Sequence, residues 1–201
     1  MTLIKDPAWG TVARVGNNGR LRVDAISQIQ EAAAGHAGDA YIGSTPQAGI
    51  RSWTTATGNE YILMYLKNLS ATDFLIISKL IISASAAGLV LYGIANPVEG
   101  TLANNTLVEP LNRNFGSSKT ADSELHLWDE VGTAGITGLT GGEEFSSAIL
   151  PASVLPFDQE ATLHLARNNS VAIGVQNATG GNVEVAAAVR FFFEQIEELQ
   201  P

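Results

Sequence analysis

Val183-Glu184-Val185-Ala186-Ala187-Ala188-Val189-Arg190-Phe191-Phe192-Phe193 is the stretch that decides the fold. Neighbours along a strand point to opposite faces. Val183, Val185, Ala187, Val189, Phe191 and Phe193 therefore share one face, and Glu184, Ala186, Ala188, Arg190, Phe192 and Glu194 share the other. Period two with β-branched and aromatic residues reads as a half-buried strand. Phe192 breaks the polar face. On a lone sandwich that face is wet, so Phe192 is expected under another subunit or another segment of the chain.

The same pattern spreads outward from this strand. Thr179-Gly180-Gly181-Asn182 turns back to a strand over Val171 to Gln176, and Asn168-Asn169 turns again to alternating Ala161, Leu163 and Leu165. Loops surround Pro151 and Pro156, and Gly132 to Gly142 reads as a flexible surface loop. Glu124 to Trp128 alternates as a strand. Four further strands are expected over Ile50 to Ala56, Glu60 to Asn68, Phe74 to Ala84 and Gly88 to Ile94. Tyr61 to Leu66 leaves no polar face, which suggests a central strand covered on both sides. Asn96 to Ala121 reads as a long polar loop, of the kind that carries contacts.

Near the start, Thr11 to Val15 and Arg20 to Ala25 flank Asn17-Asn18-Gly19, a hairpin signal. Asp24 to His36 has two readings. Asp24 caps a helix with Ile26, Ile29 and Ala33 that Gly35 ends, or a strand continues to about Gln30 and loops out through Ala32-Ala33-Ala34-Gly35. The strand is favoured. The whole gives about nine to eleven strands in an all-β, two-sheet antiparallel sandwich. One domain is expected over 17–194, with an arm and first strand over 1–16 and an acidic tail over 195–201.

Composition narrows the function. The 201 residues suit one domain. With no cysteine, disulfides and thiolate metal sites are excluded. A net charge of -9 with eleven scattered basic residues argues against a nucleic-acid partner. Phe74 to Ala95 has the length of a membrane span, but Lys79, Ser78, Ser83, Ser85 and Gly88 interrupt it, so two buried strands fit better and no membrane partner is expected. Met1 to Gly10 carries Lys5, Asp6 and Pro7 where a secretion signal needs an apolar core.

No chemical constellation stands out. His36, His126 and His164 lie far apart without metal-ligand spacing, and only a cross-strand meeting of His126 and His164 would be metal-like. Neighbouring Glu143-Glu144 and Glu197-Glu198 do not face one another across a cleft as paired catalytic carboxylates do. No phosphate loop and no nucleophile elbow is present. No enzyme, no cofactor and no metal is expected. Asn68, Asn104, Asn168 and Asn177 match the glycosylation sequon and read more simply as turn residues. Trp9, Trp53 and Trp128 read as core or loop packing, with interface anchors or sugar platforms as the alternative. Leu3, Ile4 and Trp9 make an apolar N-terminal arm that either packs on its own sandwich or reaches a neighbouring subunit or shell, and these three with Phe192 are the candidate interface residues.

The order of these features resembles a known group. Arg20-Leu21-Arg22-Val23-Asp24-Ala25-Ile26-Ser27 follows an Asn-Gly turn. Ala40-Tyr41-Ile42-Gly43 comes next, then a strand ending Tyr65-Leu66-Lys67-Asn68-Leu69-Ser70. Gly135-Ile136-Thr137-Gly138-Leu139-Thr140-Gly141-Gly142 precedes the proline-rich stretch, and the apolar strand closes the chain. This order, over most of Asn17 to Phe193, is similar to tailed-phage virion proteins of the jelly-roll cement or decoration type. The resemblance implies a jelly-roll-like sandwich that assembles in the host cytoplasm, often as a homotrimer, and bridges major capsid protein subunits in the virion. It carries no catalytic residues. A tail, baseplate or fibre module and a carbohydrate-binding sandwich are the alternatives.

Overall fold

The computed structural model describes residues 3–5, 12–14, 32–49, 51–131 and 134–195. Strands β1 (Leu3–Lys5) and β2 (Val12–Arg14) pair antiparallel in a two-stranded sheet of their own. The Asn17-Asn18-Gly19 turn, the strand expected over 20–25 and the helix-or-strand segment over 24–31 lie outside the described residues.

The body begins with β3 (Ala40–Ser44), β4 (Trp53–Thr55), β5 (Glu60–Asn68), β6 (Asp73–Ala84) and β7 (Leu89–Ala95). After β7 come β8 (Val98–Ala103), β9 (Asn105–Val108), β10 (Leu111–Asn112), β11 (Ser123–Trp128) and β12 (Thr137–Thr140). The last four are β13 (Glu143–Leu150), β14 (Val154–Leu165), β15 (Ser170–Asn177) and β16 (Val183–Gln195). One six-stranded sheet runs β10-β3-β16-β6-β14, with β4 also on β16, and a second runs β13-β7-β15-β5-β11-β9.

Eight of these strands define the fold. In the chain order β3, β5, β6, β7, β13, β14, β15, β16, the first pairs with the last, the second with the seventh, the third with the sixth and the fourth with the fifth. The pairings of β16 with β6 and β15 with β7 join these couples into the two sheets. All six pairings are antiparallel. A single long hairpin wound into two facing sheets is the double-sheet jelly roll.

The facing sheets enclose the core as the final strand foretells. Val183, Val185, Ala187, Val189 and Phe191 all enter the main buried cluster. Strand β6 lacks such alternation because a bulge interrupts it. Ile77 stands opposite Phe191 and Lys79 opposite Arg190, which leaves Ser78 without a partner. The extra residue swaps the faces, so Leu75 and Ile77 enter the core before it and Leu80 and Ile82 after it.

Two expectations are corrected. Asn96 to Ala121 is not a long loop, and Gly132 to Gly142 is not merely a surface loop. The insertion between β7 and β13 supplies β9 and β11 to one sheet, β10 to the other, and the separate β8–β12 pair. The β8–β12 pair lies over the second sheet, because Glu99 of β8 reaches Tyr65 and Lys67 on the face of β5 opposite Leu66. Ile136 is only 1% exposed, and its N–H bonds the Ile62 carbonyl at 2.8 Å. This third layer is why Tyr61 to Leu66 needs no polar face.

The loop favoured over residues 32–35 is also corrected. Residues 32–37 are helical, as an alanine-rich run permits. The stop is Gly38, at φ 80°, rather than Gly35. The Asp39 N–H bonds the Ala34 carbonyl at 2.8 Å and the Gly38 N–H bonds that of Gly35 at 3.3 Å, closing the helix in a Schellman motif.

Candidate functional site

Titratable groups gather where the third layer meets the second sheet. Lys67 Nζ lies 2.6 Å from Glu99 Oε2, and the Tyr65 hydroxyl donates to the same oxygen at 3.1 Å. The His126 ring stands between Glu124 Oε1 at 2.7 Å and Asn105 Oδ1 at 2.5 Å. The Lys67 hydrogen bond holds the Glu99 carboxyl below its ordinary range, and Glu99 in turn raises Lys67. Burial raises the Tyr65 phenol, with the Glu99 charge adding to it. Lys67 and Glu99 neutralise one another inside the cluster. This arrangement suits a clasp that fastens β8 to β5 and β9 to β11.

Between the sheets lies an apolar cavity of about 40 Å³, lined by residues such as Met64, Leu66, Ile77, Leu91 and Val189. Phe145 closes over it, its ring in the space a side chain on Gly93 would need. A cavity without convergent polar groups is a packing void rather than a built ligand site.

Among the described residues the most exposed large hydrophobic side chain lies on a loop. Phe115 is 91% exposed, yet its loop is held at many points. Asn112 donates to the Gly38 carbonyl at 2.7 Å and Asn114 to that of His36 at 3.1 Å. The Asn114 side chain accepts the Gly116 N–H, and Lys119 pairs with Asp39 at 2.8 Å. An aromatic ring left wet forgoes about 1.5–3 kcal/mol of burial, and here a stiff loop presents it. Order already present in the free protein lowers the cost of docking.

The residues expected from sequence fall in different places. Phe192 is 2% exposed and packs with Ala40, Ile76, Phe74 and Ala34. Its cover comes from its own chain, in part through the helical turn over 32–37, which is the second of the two covers expected for it, another segment rather than another subunit. Leu3 and Ile4 sit in β1 opposite Arg14 and Ala13, and Trp9 lies outside the described residues. His126 is in the second sheet, His164 in the first and His36 in the helical turn, so the histidines do not meet. Trp53 and Trp128 are buried together in the core. Sequence reading passed over Phe115 and Glu99, since a lone aromatic or carboxylate in a polar stretch carries no periodic signal.

No protein-family model and no curated protein matches the chain. Among solved structures it is similar to a chain of the T13 infectious bursal disease virus particle, at 13% identity over 80% of this chain and 41% of that one, with a TM-score of 0.21. A chain from the Gx strain of that virus gives 13% identity over 78% and 40%, with a TM-score of 0.20. This chain therefore spans about two-fifths of those viral chains. The jelly roll itself stands on the strand order of this protein.

Proposed function

We propose that this protein is a non-enzymatic structural component of a virus particle, a capsid cement or decoration protein that bridges shell subunits as a homotrimer. The observation that carries the reading is the jelly roll with a stiffly held, fully wet Phe115 at its edge. A rigid aromatic on a static β-scaffold is the anchor that a permanent protein contact uses. The order of sequence features, which resembles that of tailed-phage cement proteins, supports the same reading. The clasp of Lys67, Glu99, His126 and Glu124 fastens the insertion that carries this loop, so it serves the scaffold.

Purified particles test the proposal. The chain should be present in stoichiometric copies and should cross-link to the major capsid protein. Phe115→Ala should fold with unchanged melting and fail to decorate particles stripped of the protein. Absence from purified particles, or full decoration by Phe115→Ala, would refute the proposal. Cross-links to tail proteins instead would move the role to the tail.

A further inference from the structure

A sheet edge is a row of open hydrogen-bonding groups, and proteins blunt such edges with charges, proline or brevity. Among the described residues the two large sheets have five outer strands, and four are blunted, β4 being only three residues long. Strand β14 carries Pro156 and Asp158, β10 is two residues long, and β9 is four residues long and followed by Glu109 and Pro110. Strand β13 is different. It has eight residues, and from Ser146 to Leu150 it bears neither charge nor proline. Ile149 on it is 75% exposed.

The ladder fixes which groups are open. The Asn96 N–H bonds the Ser170 carbonyl, so Ile94, Tyr92 and Val90 direct their main-chain groups to β15. Leu91 and Leu89 direct theirs to β13, where they meet Ala148 and Leu150. Alternation then turns the N–H and C=O of Ser147 and Ile149 away from the sheet.

We propose that β13 pairs antiparallel with β13 of a second copy, across a twofold axis at Ala148. Ser147 of each copy then exchanges both main-chain bonds with Ile149 of the other. Self-pairing suits this segment because the register sets Glu143 and Glu144 opposite Ser153 and Ala152, so no like charges meet. The two Ile149 side chains become diagonal neighbours on one face, within mutual reach. The contact is isologous and is additional to a threefold assembly.

The chain has no cysteine, so Ala148→Cys places one thiol at the axis. Directly opposed residues of a non-bonded antiparallel pair lie about 4.5 Å apart, inside the disulfide range. Mild oxidation at micromolar concentration should convert most of Ala148→Cys to a covalent dimer, while Val154→Cys on β14, at the edge of the other sheet, stays largely uncrosslinked. Ile149→Lys, checked by circular dichroism for native folding, should weaken self-association at least about tenfold in sedimentation equilibrium. Equal cross-linking of the two cysteine variants, or unchanged association of Ile149→Lys, overturns the twofold contact. So does a monomer at all concentrations, which would leave β13 to a strand of another protein. A trimer indifferent to Ile149→Lys also overturns it, and leaves the capsid proposal standing.

Discussion

The Trp53 indole N–H donates to the Trp128 carbonyl at 2.7 Å, across 75 residues of chain. This bond ties β4, on the first sheet, to β11, on the second. The Trp128 ring lies 4.9 Å from that of Tyr61, tilted by 34°, and Trp128 donates its own N–H to the Val131 carbonyl at 3.0 Å. Trp53→Phe keeps most of the volume and orphans the carbonyl. It should cost about 1–3 kcal/mol, whereas Trp53→Ala should cost about 3–5 kcal/mol. Urea unfolding followed by tryptophan fluorescence measures both.

Asn68 and Asn177 are fully buried and act as cross-links between turns. Asn177 donates to the carbonyls of Thr55 at 2.7 Å and Gly181 at 3.0 Å, and its own oxygen accepts from Thr179. Asn68 donates to Asp73 and Leu165 carbonyls at 2.9 and 2.8 Å. A carboxylate has no hydrogen to give and would face those oxygens with charge. Asn68→Asp and Asn177→Asp should each cost at least about 2 kcal/mol, while the same change at partly exposed Asn104 costs less. Thermal melts of the three variants decide it.

Gly135 sits at φ 69° with its α-carbon against the backbone of Ile62, where any side chain would collide with main-chain atoms. Backbone cannot step aside as a side-chain tip can. Gly135→Ala should therefore lose about 1–3 kcal/mol and free amides of β8 and β12 to exchange before those of β5. Gly180→Ala, which meets nothing nearby, is the control. Uniform hydrogen-exchange protection in the two variants would show that the third layer does not depend on this contact.

The parts legible in sequence are those where one local rule acts alone. Strands β5, β7, β15 and β16 carry period-two or continuous apolar runs between clear turns. Asn104 and Asn168 adopt positive φ, as turn asparagines do. Strands β8, β9 and β10 of the insertion were hidden because two to six residues on an outer edge need no apolar alternation. The cover over Phe192 was hidden for another reason. Its partners Ala34, Ala40, Phe74 and Ile76 come from three separate segments, and only the strand order brings them together. Phe115 and Glu99 owe their roles to what lies beside them in space, which no spacing along the chain encodes.

Acid should loosen the clasp before it unfolds the sandwich. The Lys67 hydrogen bond lowers the Glu99 carboxyl below its unfolded value, which is about 4.3 for a free glutamate. A lowered folded value means the unfolded chain binds the proton more readily. The stabilisation is therefore complete above about pH 4.3 and fades as pH falls through the lower folded value. Lys67 is raised by the same bond, so its share is present at neutral pH and fades only as alkaline pH passes the raised value. The two are one interaction seen from either partner and are not summed. With the Glu99 side chain 25% exposed, solvent screening keeps the pair below about 1 kcal/mol. Glu99→Gln should lower stability at pH 7 by that amount and flatten the loss of stability with acidification. Urea midpoints measured from neutral to acid pH read this out. Parallel curves for the parent and Glu99→Gln would show that the carboxylate contributes nothing to the clasp.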